Sequence, residues 1–366
     1  MIGPRPMRKL AGLGLIEVMI AMVIGLVLLA GIYRVYLTTA RTSVTTESLA
    51  ARQEAIRYIS ERIGQDVRMA GYRGCLSDTG EIRNALNPNP ATAGSGRTEF
   101  THSDFRYRYD RYAEGFDATA SGWSPALPSS LTNVVAGTDV LTVRASLAAD
   151  VFVIQDMATT SADLRINPLS PAPLAAGNIV MVSDCSGAAI FQASGYTVAS
   201  SNNSLGVPVS YGNVVHNAVS SPTPGNWTQD LGRKFSAGAQ LIRIGTVSYL
   251  IRNSARGSGP ALWRVVDDQA QEVAEGVENL QVLYGDDSDG DRVPDVYRPA
   301  SAFTTSDAWR RVVSVRVALL VAGSTRRAGS NDPHTFDLLG VSVGPFNDGR
   351  LRRVVTLTLA LRNRLP

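Results

Sequence analysis

The densest group of acidic side chains lies in residues 286–295, which read DDSDGDRVPD. Four aspartates of this stretch take positions 1, 3, 5 and 9 of a calcium loop: Asp287, Asp289, Asp291 and Asp295. A hard cation needs about six to eight oxygen ligands, and closely spaced carboxylates supply several of them. The spacing therefore predicts a structural calcium site that orders a hairpin loop, with a solvated acidic turn as the alternative.

Two residues of this loop depart from the calcium-loop pattern. Arg292 stands at position 6, where a glycine normally makes the sharp turn. Arg298 stands at position 12, where a glutamate normally closes the shell with both of its oxygens. The sequence therefore predicts either weak calcium binding or a shell that is completed by water or by a carboxylate from elsewhere.

Residues 340–344, GVSVG, match the nucleophile elbow of hydrolases around Ser342. That motif requires a helix directly after it, whereas here Pro345 is followed by the turn-forming NDG at 347–349. The chain has three histidines, which are far apart in the sequence: His102, His216 and His334. It has no HExxH spacing and no GxxxxGK[ST] loop. We interpret the elbow as a chance match and predict that the protein is not an enzyme.

The first element that must position these groups is an apolar segment, residues 13–33, whose only formal charge is Glu17. About twenty helical residues at about 1.5 Å each cross a bilayer core of about 30 Å. A cleaved secretory signal has its small residues after a shorter apolar core, whereas Ala11 and Gly12 precede this one. A plain signal anchor fits the length, but it leaves Glu17 unexplained, since a charge there costs at least about 2.5 kcal/mol.

Residues 1–12 form a basic leader. Its last residue begins the motif GLGLIE, residues 12–17, and leader and motif together resemble the class III signal of type IV pilins and pseudopilins. The resemblance implies that a prepilin peptidase cleaves between Gly12 and Leu13 and that the new N-terminus is methylated. The amine of Leu13 would then lie one helical turn from the Glu17 carboxylate, because residues i and i+4 share a face. Glu17 can pair with this amine in its own subunit or in a neighbour, and the resemblance implies the neighbour.

The leader contains three basic residues and no acidic ones: Arg5, Arg8 and Lys9. Basic residues before a first membrane helix stay in the cytoplasm, so the chain after residue 33 is expected in the periplasm of a bacterial inner-membrane precursor. The complete chain has 35 basic and 32 acidic residues, so removal of the leader leaves 32 of each. This balance gives no electrostatic footprint for nucleic acid, and no direct nucleic-acid binding is predicted.

Cys75 and Cys185 are the only cysteines, and both lie in the part expected in the periplasm. An oxidising compartment favours a disulfide between them, with two separate buried thiols as the alternative. Neither belongs to a CxxC pair, which argues against a redox motif or a zinc site. The bridge would contribute roughly 4 to 5 kcal/mol to stability in the chain-entropy model.

The helical pattern continues past the membrane segment to about residue 70. One apolar stripe recurs at spacings of three, four or seven residues: Leu49, Ile56, Ile59, Ile63, Val67 and Ala70. We predict one long helix from Leu13 to about Arg68, with a transmembrane half, residues 13–33, and an amphipathic half, residues 34–70, whose stripe packs on a globular domain. Gly71 is a suitable stop.

Residues 71–366 are predicted to form a β-rich head, which makes the fold class α+β. Residues 76–135 read mostly as loops, except for a strand at 105–112, where aromatic and charged residues alternate. That strand could present a basic and aromatic face to a glycan, a nucleic-acid strand or a neighbouring subunit, and a half-buried strand with solvated arginines is the simpler interpretation. Residues 200–234 are polar and are predicted to be an exposed insertion. Nine further strands are predicted at 140–145, 151–155, 178–184, 189–198, 240–252, 261–266, 277–284, 312–322 and 354–362.

Four blocks of the head resemble the PilW group of minor pilins: MAGYRGC at 69–75, VSDCSGAAIFQ at 182–192, GVENLQVLYGDDSDGDRVPD at 276–295 and LRRVVTLTLALRNR at 351–364. The resemblance implies a minor pilin that joins other minor pilins and the major pilin at an inner-membrane assembly platform. It would prime or cap a type IV pilus and so serve motility, adhesion and possible DNA uptake. The alternatives are a minor pseudopilin of a type II secretion system, a signal-anchored periplasmic hydrolase and an adhesin.

Overall fold

The computed structural model describes residues 14–77, 80–87, 102, 104–169, 171–202, 206–257, 259–326 and 333–364. The predicted leader, residues 1–12, and Leu13 lie outside the described residues. The chain divides into two compact units, Met1–Glu54 and Ala55–Pro366. Helix α1, Leu15–Arg68, runs through the boundary between them, and its end agrees with the end predicted from the sequence.

The first unit contains an apolar stretch of α1. Leu15–Ala40 is 26 residues long, with a mean hydropathy of 2.7, and its side chains are exposed. At about 1.5 Å per residue this stretch is about 39 Å long. By length and composition it can cross a membrane, as the sequence predicted.

The second unit is the β-rich head. In the described residues it contains one short helix, α2, Ser306–Arg310, and eighteen strands: β1 Ile82–Asn84, β2 Ala113–Thr119, β3 Gly122–Ser124, β4 Val140–Gln155, β5 Leu164–Ile166, β6 Ile179–Asp184, β7 Gly187–Gln192, β8 Gly195–Asn202, β9 Pro208–Val215, β10 Gln240–Asn253, β11 Pro260–Val266, β12 Gln269–Glu275, β13 Val277–Asp286, β14 Val296–Arg298, β15 Val312–Arg326, β16 Phe336–Leu338, β17 Val341–Val343 and β18 Arg350–Ala360. The predicted α+β fold class is confirmed.

The strands form three sheets. The largest has the order β1-β7-β6-β10-β4-β5-β9-β8, with β11 and β12 beside β10 and the β2–β3 hairpin beside β4. The second has the order β14-β13-β15-β18, and β16 pairs with β17 in a hairpin. Strand β10 lies between β4 on one edge and both β6 and β11 on the other. The two larger sheets supply most of the surface that the end of α1 covers.

The end of α1 that belongs to the second unit lies in the largest hydrophobic core. Ile59, Ile63 and Val67 are at most 1% exposed and pack with residues of β4, β10, β13 and β15. These three residues belong to the apolar stripe that the sequence predicted. An amphipathic helix gains most of its stability from burying such a stripe, at roughly 25 cal/mol per Å² of apolar surface.

The prediction of a strand at residues 105–112 is wrong. Phe105–Tyr107 form a 3₁₀ turn, and the Asp104 side chain caps it by accepting a hydrogen bond from the Arg106 backbone N–H. The four aromatic residues of this segment are buried: Phe105, Tyr107, Tyr109 and Tyr112. The alternation therefore marked which side chains face the interior, but a capped turn achieves this burial instead of an extended strand.

Among the described residues of 76–135, three short strands lie between loops: β1, β2 and β3. One expectation about the head is corrected. Residues 200–234 are not an exposed insertion, because β9 pairs with both β5 and β8 there and Leu231 and Asn226 are buried. The Asn226 side chain donates to the Gln192 carbonyl and accepts from the Gln192 N–H. The polar composition suggested exposure, but these amide groups make their hydrogen bonds inside the head and not with water.

Candidate functional site

Glu17 lies at the N-terminus of α1. The backbone N–H of Gly14 donates to Glu17 Oε2 over 2.9 Å. The first turn of a helix has backbone N–H groups without partners inside the helix, and its partial positive charge favours an acidic side chain. The carboxylate therefore folds back toward Gly14, the second residue after the predicted cleavage bond between Gly12 and Leu13. Both of those residues lie outside the described part of the chain.

The apolar residues that follow Glu17 present their side chains outward. Leu15, Leu26 and Ile32 are each more than 65% exposed. In the described residues of the first unit, α1 is the only helix or strand. A surface of this kind is stable only in lipid or against other apolar helices, because apolar side chains in water cost free energy in proportion to their exposed area.

A buried polar cluster holds the other end of α1 in the head. Asp66 accepts from Arg264 Nε at 2.6 Å and from Arg264 Nη2 at 3.1 Å. The Tyr249 hydroxyl also donates to Asp66, over 2.5 Å. Burial, and then the Asp66 charge, raise the pKa of Tyr249, so its hydroxyl keeps its proton and remains a donor. This cluster was not predicted from the sequence, although an acidic residue three positions after Ile63, beside the apolar stripe, indicates a buried partner.

The C-terminal end of α1 is closed by Gly71 and Asn363. Gly71 has φ +69°, and a Cβ on it would lie 2.8 Å from the Tyr112 ring, so the predicted stop needs a glycine for two reasons. The Asn363 side-chain amide donates to the carbonyl oxygens of Arg68 at 3.0 Å and Ala70 at 2.9 Å. These carbonyls have no partner within the helix, so Asn363 satisfies them. No local pattern in the sequence predicts this contact.

Cys75 and Cys185 form a disulfide that joins residues 110 positions apart. Cys75 follows the end of α1, and Cys185 lies in the turn between β6 and β7. The bridge therefore ties the segment that leaves the helix to the large sheet. In the chain-entropy model, closing a loop of this length contributes roughly 4 to 5 kcal/mol.

The acidic loop between β13 and β14 brings three of its four predicted ligands together. One oxygen from each of Asp287, Asp289 and Asp295 lies within 4.8 Å of the others. Asp291 is not part of this group, and its Oδ1 accepts from the Val293 N–H at 2.7 Å. The Ser288 hydroxyl and then its backbone N–H lower the pKa of Asp295, which keeps that carboxylate ionised.

Arg292 makes the turn that a glycine makes in the calcium-loop pattern. Its φ is +70°, and its backbone N–H donates to Asp287 Oδ2 at 3.0 Å. The departure at position 6 is therefore one of residue type and not of backbone conformation. Position 12 lacks the usual glutamate ligand. Arg298 takes this position, lies in β14 and pairs with Asp286 at 3.8 Å.

The elbow-like sequence around Ser342 does not form an elbow. Ser342 lies in β17, opposite Asp337 of β16, and β17 ends at Val343 before Gly344 and Pro345. The required helix does not follow. His216 is buried and contacts the Ala162 carbonyl oxygen through its Nε2, 3.0 Å away, which is a structural contact.

Two family models match the chain. The model for "Type IV Pilus-assembly protein W", PilW, matches residues 248–363, and the model for "Prokaryotic N-terminal methylation motif" matches residues 7–33. These two matches support a PilW-family type IV pilin. Searches of curated proteins and of solved structures found no match.

The two matched regions coincide with the features described above. The methylation motif covers Gly12, Leu13 and Glu17. The PilW match covers the end of β10 through β18, and with them Arg264, the acidic loop and Asn363. Together the two matches support a type IV pilus minor pilin, and the PilW match favours a pilus over a type II secretion system.

Proposed function

We propose that this PilW-family pilin is made as an inner-membrane precursor, is cleaved by a prepilin peptidase between Gly12 and Leu13, and then joins a complex of minor pilins. That complex primes or caps a type IV pilus. The position of the Glu17 carboxylate, which accepts from Gly14 in the first turn of α1, is the observation that carries the proposal. The methylation motif at residues 7–33 gives independent support.

During assembly, the lipid around Leu15–Ala40 is exchanged for the helices of neighbouring subunits. This exchange alone gains little free energy, since lipid tails are as apolar as the side chains, so a polar interaction must supply specificity. A carboxylate in the membrane costs at least about 2.5 kcal/mol unless it finds a partner. The amine of a neighbouring Leu13 is a partner of opposite charge, and pairing it with Glu17 makes association favourable and sets the axial register.

The head then determines which subunits fit. In this proposal it lies in the periplasm until assembly, and its partners are the other minor pilins, the major pilin and the inner-membrane assembly platform. No catalytic role is proposed. A periplasmic hydrolase would require an activity that is lost in Ser342→Ala, and an adhesin would require direct binding of the head to a surface.

Two measurements test the proposal. The intact mass and N-terminal sequence of the protein from membranes should show a chain that begins at Leu13 with a methylated amine. In a pilus-assembly assay, Glu17→Ala should lower incorporation into fibres at least tenfold, whereas Glu47→Ala, which removes an exposed acid of α1 outside the apolar stretch, should not. Persistence of residues 1–12 on the mature protein, or normal incorporation of Glu17→Ala, would contradict it.

We also propose that the acidic loop binds calcium in a structural role. The support is the grouping of Asp287, Asp289 and Asp295 together with the left-handed turn at Arg292. Three carboxylates close together repel one another, and a divalent cation relieves that repulsion. The cation would hold the β13–β14 hairpin closed, and water would supply the remaining ligands.

A further inference from the structure

The second unit contains a cavity of about 930 Å³, at the upper end of the range for small-molecule sites. Its wall is built from the 3₁₀ turn at Phe105–Tyr107, strand β2, the loop that follows β3, and the turn at Ala300–Ala302. These segments are far apart in the sequence, so the cavity is a product of the tertiary fold. Neither α1 nor the acidic loop contributes a residue to its wall.

One group of charged residues at the cavity carries an excess of positive charge among the described residues. The wall acid Glu114 is buried and accepts from Arg111 at 2.7 Å and from Arg144, which lies behind the wall, at 2.6 Å. Arg108 lies 3.6 Å from the same carboxylate. Burial would raise the pKa of Glu114, but Arg144 and Arg111 outweigh it and lower the pKa, so this acid is ionised. Asp110 lies 3.7 Å from Arg111 Nε. Three arginines therefore face two acids among the described residues of this cluster.

The charge of the third wall arginine, Arg106, is neutralised. Its guanidinium is bound by Asp104 at 2.6 Å and by Asp268. A ligand that carries one negative charge would therefore place it at Arg108 and Arg111. Both of these guanidinium groups are partly exposed, at 33% and 19%, and a guanidinium has five N–H donors, so each can bind its present partners and a ligand oxygen together.

The rest of the wall is rich in hydroxyl groups. Five hydroxyl side chains line it: Ser124, Ser129, Ser130, Ser301 and Thr304. In the described part of the chain none of these hydroxyls takes part in a hydrogen bond, so each has a donor and two acceptor sites available. Phe105, Phe116 and Phe303 add apolar edges to the same wall. This combination matches a ligand that has many hydroxyl groups, some apolar C–H surface and one carboxylate.

We propose that this cavity binds an acidic saccharide, a short glycan that contains a uronic or sialic acid. Its carboxylate binds at Arg108 and Arg111, its hydroxyl groups bind along the serine-rich wall, and its C–H faces contact the phenylalanine edges. The site gives the minor pilin a ligand of its own. It does not depend on processing or on subunit assembly, so it can fail while the assembly role stands.

The test uses the full chain in detergent and isothermal titration calorimetry. The probes are two acidic sugars and their neutral counterparts: sialyllactose with lactose, and cellobiouronic acid with cellobiose. At least one acidic sugar should bind, and its neutral counterpart should bind about tenfold more weakly, because a charge-assisted hydrogen bond is lost. High salt should weaken binding of the acidic sugar.

Two variants locate the site. Arg108→Gln should weaken binding of the acidic sugar about tenfold, whereas Arg256→Gln, which changes a highly exposed arginine on the loop after β10, should leave it unchanged. Ser129→Trp, a bulky side chain at the cavity wall, should block both acidic sugars. Unchanged melting temperatures confirm that these variants are folded. Absence of binding at sugar concentrations up to about 10 mM would overturn the proposal. Equal binding of the neutral sugars, or full binding by Arg108→Gln, would also overturn it. Binding of only a carboxylate-terminated tripeptide would overturn it in favour of a peptide site.

Discussion

Asp66 on the last turn of α1 and Arg264 on β11 form a buried ion pair, with Arg264 Nε 2.6 Å from Asp66 Oδ2. The two residues are 198 positions apart in the sequence, and both are less than 10% exposed. The pair joins the end of α1 to a strand in the region that the PilW model matches. It makes the orientation of that last turn a property of the head.

Replacement of one member of this pair should destabilise the head strongly. In Asp66→Ala, the guanidinium of Arg264 stays buried without its counter-ion, which costs about 3 to 5 kcal/mol. The double variant Asp66→Ala/Arg264→Met should lose less stability, because no unpaired charge remains.

Denaturant unfolding of the full chain in detergent, followed by tryptophan fluorescence, measures the free energy of unfolding of both variants. The surface acid Asp307, which is 72% exposed and pairs with Arg310, provides the control, and Asp307→Ala should cost less than about 1 kcal/mol. Equal losses in the two single variants would contradict the role of the pair.

Asn363→Ala should loosen the end of α1. It removes two hydrogen bonds and leaves the carbonyls of Arg68 and Ala70 without a protein partner, which costs about 1 to 3 kcal/mol. Amide hydrogen exchange in the last turn of α1 should accelerate more than exchange in the large sheet. Asn202→Ala, which changes an exposed asparagine at the end of β8, is the matched control and should leave the exchange pattern as it is. Unchanged protection of the last turn in Asn363→Ala would show that the cap does not matter.

Asp139 makes stability depend on pH. Its two oxygens accept from the N–H groups of Ala118 and Val282, so it links β2 to β13. Burial raises the pKa of Asp139 to about 7, from an ordinary value of 3.8. A raised carboxyl pKa means that the folded state holds the proton more tightly than the unfolded state between these two values. Stability should therefore fall as the pH rises from about 4 to 7 and then level off.

The contribution of Asp139 can be measured by difference. Over two pH units, from 5 to 7, it amounts to roughly 2 to 3 kcal/mol. The melting temperature of the native protein should fall relative to that of Asp139→Asn over this range, whatever the offset between the two proteins at pH 5. Histidines and other titrating groups are common to both proteins and cancel in the difference. Parallel curves for the native protein and the variant would refute the prediction.

Calcium should stabilise the β13–β14 hairpin. Addition of calcium to the chelator-treated full chain should raise its melting temperature, because binding to the folded state alone adds RT ln(1 + [L]/Kd) to the stability. Asp289→Ala should abolish the increase, since Asp289 contributes one of the three grouped oxygens and, among the described residues, its carboxylate accepts a single hydrogen bond, from Asp291 N–H at 3.2 Å. Asp307→Ala should retain it. A melting curve that is the same with and without calcium would rule out the site.

The position that lacks a closing ligand offers a gain-of-function version of the same measurement. Arg298→Glu places a carboxylate at position 12, where two oxygens normally complete the shell. Calcium affinity should rise about tenfold or more. A rise would indicate that the loop places its ligands as the calcium-loop pattern does, whereas no change would mean that the end of the hairpin lies too far from the three aspartates.

The sequence by itself determined the elements whose signals are local. An unbroken run of apolar residues is sufficient for a membrane-length helix, and the spacing of Ile59, Ile63 and Val67 is sufficient to identify its buried face. Alternating β-branched and apolar residues gave most of the long strands for the same reason, since period and composition act over a few residues. The leader, Gly12 and Glu17 form a contiguous motif, and a contiguous motif can be recognised without a fold.

Only the tertiary structure decided which distant groups meet. The partners of Asp66, the cap that Asn363 supplies and the two N–H groups that bind Asp139 each lie more than 20 residues from the group they contact, and no local spacing encodes them. At residues 105–112 the alternation correctly indicated burial, but a hydrogen bond from Arg106 N–H to Asp104 and packing against β2 selected a turn. The cavity beside that turn exists because four separate segments converge, and convergence is set by the free energy of the whole core and not by any one segment.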